Sequence, residues 1–164
     1  MNLGPALTHL HEATADLRDE LGTIAERHAA DHDVFHIGRQ LSHRCEELLT
    51  RLAPYVETYG GSPAGDGEMA EAWRAFAEGV RRWTATATSR TSKAGPLLLR
   101  DLRELEADAH ACRTDWVIVH QGALAARDGG LVDASTFGMS EMERIERWLT
   151  TRIKEAAPQI LASE

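Results

Sequence analysis

With 164 residues, 43% of them hydrophobic and 27% charged, the chain suits one domain with its own core and is too apolar for general disorder. Its net charge of −8, with no segment in strong basic excess, argues against a dominant phosphate-binding surface and so against nucleic acid as a partner. No apolar run approaches the ~20 residues that cross a bilayer. Residues 1–10 lack the basic start and apolar stretch of a signal peptide, so a cytoplasmic protein with no membrane partner is expected.

Apolar residues recur at helical spacing along most of the chain. The first segment, about residues 5–29, starts at Pro5, a favoured first-turn residue, and carries Leu7, Leu10, Ala13, Leu17, Leu21, Ile24 and His28 on one stripe. A turn near Ala30 leads to the second, about 32–59, where Asp31 or Asp33 can cap the helix and Val34, Ile37, Leu41, Cys45, Leu48, Leu52, Tyr55 and Tyr59 form a coiled-coil-like seam. The Gly- and Pro-rich run 60–67 is the clearest break in the chain. A short helix is predicted over 68–88, with Met69, Trp73, Phe76, Val80 and Trp83 in line, and a loop over 89–96 follows. The basic residues Arg74, Arg81, Arg82, Arg90 and Lys93 read as a solvated face.

The next long segment, about 97–127, turns Leu98, Leu102, Leu105, Ala109, Cys112, Trp116, Val119 and Ala123 inward, and Gly129 and Gly130 after Asp128 should end it as glycine ends helices. The last, about 131–157, has Met142, Ile145, Leu149, Ile153 and Ala156 on its stripe, an irregular stretch expected near 135–140, and Pro158 as its stop. Two antiparallel hairpins joined by a long link make an all-α, antiparallel four-helix bundle of one domain. Cys45 and Cys112 stand in no C-x-x-C pair and read as buried thiols. Arginine in excess over lysine, with abundant alanine, points to a GC-rich bacterial genome.

In helix lengths and in the long link between its second and third long helices, the chain resembles the ferritin-like four-helix bundles over nearly its whole length. The resemblance implies a core able to hold two metals, built from a Glu on each of two helices and a Glu-x-x-His on each of the others. The sequence has no Glu-x-x-His. Asp33-x-x-His36 is the nearest echo, and Glu143 and Glu146 would supply the last helix without a histidine. At about 100° per residue these positions lie off the inward stripes, so the metal motif does not carry over.

His28, His32, His36 and His43 are the candidate metal ligands, four or seven residues apart. The fragments His28-x-x-x-His32, His43-x-x-x-Glu47 and His110-x-x-x-x-Asp115 resemble the hemerythrin pattern, but His32, His36, His43, Glu47 and His110 fall on outward faces and read as solvated or partner-facing. His28 lies on the inward stripe and should close the bundle end as a half-buried ring at a helix C-terminus. Asp101, Asp108 and Asp115, seven apart, flank the seam of the third long helix, and an Asp108–Arg152 ion pair is expected to neutralise an inward Arg152. No triad, supported Cys-His pair or phosphate loop emerges. The expected function is non-enzymatic, through a homo-oligomer or protein partner and without a cofactor; the alternative is an iron or other transition-metal redox protein with a remodelled His/carboxylate site. A bundle binding a small molecule in a cavity is a third possibility.

Overall fold

A computed structural model describes residues 3–60 and 94–162. These residues form four α-helices: α1 (Gly4–Arg27), α2 (His32–Gly60), α3 (Ala94–Ala126) and α4 (Gly129–Leu161). No strand occurs among the described residues. The helix expected over 68–88, and the basic residues around it, lie outside them.

The helices arise where the apolar periodicity places them. Leu7, Leu10, Leu17, Leu21 and Ile24 of α1 and Val34, Cys45, Leu48 and Leu52 of α2 are buried. So are Leu98, Leu102, Leu105, Ala109, Cys112, Trp116, Val119 and Ala123 of α3 and Leu131, Met142, Ile145 and Leu149 of α4. They form one continuous cluster. Burying each large side chain contributes about 1.5–3 kcal/mol.

Small residues bring the members of each hairpin together. A Cβ on Gly38 would lie 3.0 Å from the Ala25 Cβ, and Ser42 Oγ donates to the Arg18 carbonyl at 2.9 Å. In the other hairpin Gly138 makes room for the Trp116 ring, which a Cβ would strike.

Cross-contacts set the direction of each helix. Along the α1–α3 seam His9 meets Asp115, Thr14 meets Cys112 and His28 meets Asp101, so these helices are antiparallel. Along α2–α4, Arg51 covers Phe137, Arg44 reaches Glu141 and Asp31 holds Arg152, again antiparallel. With α1–α2 and α3–α4 antiparallel as hairpins, the course is up–down–down–up. Gly60 and Ala94 therefore stand at opposite ends of the bundle, and α1 and α4 are diagonal, as are α2 and α3.

The turns correct several boundaries. Asp31 caps α2, accepting from the Val34 N–H at 3.2 Å. The left-handed residue that ends α3 is Arg127 (φ 55°), and no described glycine has positive φ. Gly129 and Gly130 instead open α4, because Asp128 accepts from the Leu131 N–H at 3.0 Å and caps the new helix. The irregular stretch expected near 135–140 is continuous helix; Ser135, buried there, donates to the Leu131 carbonyl at 2.7 Å within the helix. Pro158 does not stop α4, which runs on to Leu161 as Ile160 packs over Gly95. The helical start of α3 at Ala94 likewise replaces the last residues of the loop expected over 89–96.

Candidate functional site

Asp101, Asp108 and Asp115 lie two helical turns apart on α3 and all face α1, which builds a polar ladder across the seam between the hairpins. At the lower rung Asp101, 2% exposed, accepts from Arg27 Nη1 at 2.8 Å and Arg100 Nη2 at 2.9 Å. His28 Nε2 stands 2.8 Å from the same carboxylate. Burial alone would push the Asp101 carboxyl up, but the bonds from His28, Arg27 and Arg100 outweigh it and hold it below the usual aspartate range. At the upper rung His9 Nε2 lies 3.2 Å from Asp115, whose side chain is 8% exposed.

The middle rung differs in kind. Asp108 meets Glu20 of α1, acid against acid, within hydrogen-bonding reach. Both residues are half-buried. Burial, the Asp108 contact and the nearby Glu104 and Asp101 push the Glu20 carboxyl up to about 8. Burial also raises Asp108, the Glu20 bond opposes the shift, and Asp16 adds to it. A proton shared between the two carboxyls resolves the conflict, because like charges in contact cannot both ionise cheaply.

The expected Asp108–Arg152 pair is corrected by this arrangement. Arg152 bonds Asp31 at the start of α2 and Glu155 one turn on, at 3.1 Å. The Asp108 face of α3 packs on α1 rather than on α4, which is why the two side chains part.

Behind the ladder lies an uncharged interior. The Thr14 hydroxyl donates to the Leu10 carbonyl at 2.7 Å, so its oxygen accepts from the Cys112 thiol at 3.6 Å. Burial pushes both Cys112 and Cys45 up to about 12, which keeps them as thiols. Both are free, as the sequence suggests. Trp116 is 0% exposed, and its indole nitrogen, without a hydrogen bond of ordinary geometry among the described residues, lies beside the Cys112 thiol. On the α2–α4 side, buried Glu141 sits 4.0 Å from Arg44 and 3.7 Å from Arg144.

The four candidate metal-ligating histidines are not gathered. His28 turns into the bundle and is 9% exposed, so it is buried rather than half-buried. His32 and His36 are exposed on the outside of α2, their rings 4.2 Å apart, and His43 is exposed about two turns further on. Glu143 and Glu146 are taken up by Arg113, and Glu146 also by His110 at 2.9 Å. Among the described residues no group of three His, Cys, Asp or Glu side chains is placed to hold a metal ion. None of the described helices is long and apolar enough to cross a membrane.

Sequence reasoning passed over the outer face of α3. From Thr114 to Ala126 the only charged residue is Asp115, which is buried against His9. Val117, Ile118 and Leu124 are 38%, 36% and 48% exposed, with Gln121 and Ala125 beside them. The signal was present as an uncharged stretch in a chain that is 27% charged. No family model matches the chain, and neither does any curated protein or solved structure.

Proposed function

We propose that the chain works as a non-enzymatic helical module that self-associates through the outer face of α3. The observation that carries this reading is the uncharged strip of Val117, Ile118, Gln121, Leu124 and Ala125, which is apolar where a solvated helix would carry charge. A second copy is the partner the strip fits. Two chains of net charge −8 repel over most of their surfaces, and the strip is where they can approach with least repulsion. Paired antiparallel about a two-fold axis, the strip is its own complement. The strip has five side chains where a standard interface has roughly 20–30 residues a side, so the dimer is weak and dependent on concentration.

Sedimentation velocity over a concentration series tests this. The weight-average sedimentation coefficient should rise with concentration, and rise further in high salt, which screens the repulsion. Ile118→Lys combined with Leu124→Lys should hold the protein monomeric with its melting temperature unchanged. A wild type that stays monomeric at every concentration, or a variant that associates as the wild type does, overturns the reading.

The up–down–down–up course supports a second reading, a ferritin-like iron or redox protein with a remodelled site. Untagged protein purified with one metal or more per chain would favour it.

A further inference from the structure

The α1–α3 ladder brackets its middle rung. Asp101 touches α1 at His28 (2.8 Å) and Asp115 touches α1 at His9 (3.2 Å), so Asp108, midway between them, must face α1, where it meets Glu20. Among the described residues, the charges acting on this pair are acidic: Glu104 and Asp101 of α3 on Glu20, and Asp16 of α1 on Asp108. Among the described residues, three arginines flanking the seam are engaged elsewhere. Arg18 holds Asp19 and Glu46 on the α2 side of α1, Arg100 holds Asp101, and Arg113 holds Glu143 and Glu146 on the α4 side of α3. One helical turn beyond Asp108, at the contact with Thr14, the same seam covers the Cys112 thiol.

We infer that Glu20 and Asp108 form a proton-dependent latch between the two hairpins, whose shared proton keeps the seam shut over Cys112 and whose loss lets the seam open. With the proton in place, a neutral acid donates to a carboxylate, a strong charge-assisted hydrogen bond between α1 and α3. Without it, two carboxylates face each other beside Glu104, Asp101 and Asp16, and the repulsion acts across the seam. The shift of Glu20 to about 8 places the change on the alkaline side of neutrality. The latch is independent of the outer α3 face.

The buried thiol reports the opening. The full-length protein is labelled with an aromatic disulfide reagent from about pH 6 to about pH 8.5, and modification of Cys112 is followed by peptide mass spectrometry. Each rate is divided by that of glutathione at the same pH, which removes the ionisation of the thiol itself. One linked proton changes the opening equilibrium by up to tenfold per pH unit, so the normalised rate should climb at least about tenfold over the range. Glu20→Gln and Asp108→Asn each replace the shared proton with an amide donor that does not titrate. Either variant should flatten the profile at the slow, low-pH level, and the exposed control Glu57→Gln should keep the wild-type slope. A flat wild-type profile overturns the latch. So does a climb like that of the wild type in either variant that folds.

Discussion

At Gly138 the missing side chain is a packing requirement. A Cβ there would collide with Cε3, Cζ3 and Cδ2 of Trp116, a ring held in the core with no exposed surface. Gly138→Ala should therefore destabilise by about 1–3 kcal/mol, although alanine is the better helix former. Pairing it with Trp116→Leu should recover part of the loss, and urea unfolding of the two single variants and the double would show non-additive costs; strictly additive costs would mean that the contact is not the cause. The inward position of Trp116 was legible from its place on the α3 stripe, but its dependence on Gly138 was not, because periodicity assigns a face without assigning the residue opposite. The same limit explains Asp108. Its place at the edge of the seam was readable, whereas the choice between Arg152 and Glu20 depended on which helix packs against that edge.

Among the elements, the α3–α4 turn shows how a local signal can be read correctly and placed wrongly. Gly129 and Gly130 mark the break, yet Arg127 takes the left-handed conformation and Asp128 starts the next helix. Asp128 also accepts from the Tyr59 hydroxyl at 2.8 Å, which ties the end of α2 to the start of α4. The Leu131 amide and then the Tyr59 hydroxyl hold its carboxyl below the usual range. Asp128→Ala should cost about 0.5–2 kcal/mol in a denaturant melt, and Asp128→Asn, also a good cap, should retain most of the stability. Equal losses in both would locate the effect in charge rather than in capping. The helices themselves were legible within a few residues, since four long apolar stripes leave little choice. The miss at Pro158 arose because a proline near a helix end forfeits only one hydrogen bond, and the packing of Ile160 on Gly95 holds the last turn in place.

For the molecule as a whole, two sets of carboxyls set opposite limbs of the pH–stability profile. Asp31, Asp101 and Asp128 are held low, so their contribution is present above the ordinary aspartate range and is lost as pH falls through their depressed values. Glu20 and Asp108 are held high; their contribution is complete below the ordinary carboxylate range and is lost as pH rises, for Glu20 up to about 8. The net charge of −8 adds self-repulsion toward the alkaline side. Urea unfolding across pH should give maximum stability at about pH 4.5–6, with a decline toward alkaline pH that is shallower in Glu20→Gln. A maximum above neutrality would contradict the raised carboxyls of Glu20 and Asp108. The up–down–down–up course also bears on how the molecule carries mechanical load. Leu3 enters at the end where α2 and α3 finish, and Ala162 leaves at the end where α3 begins, a separation of about 50 Å along 33-residue helices. Tension between those two points runs along the helix axes and loads the helix contacts in shear, so the bundle resists as a strut and does not peel open one helix at a time.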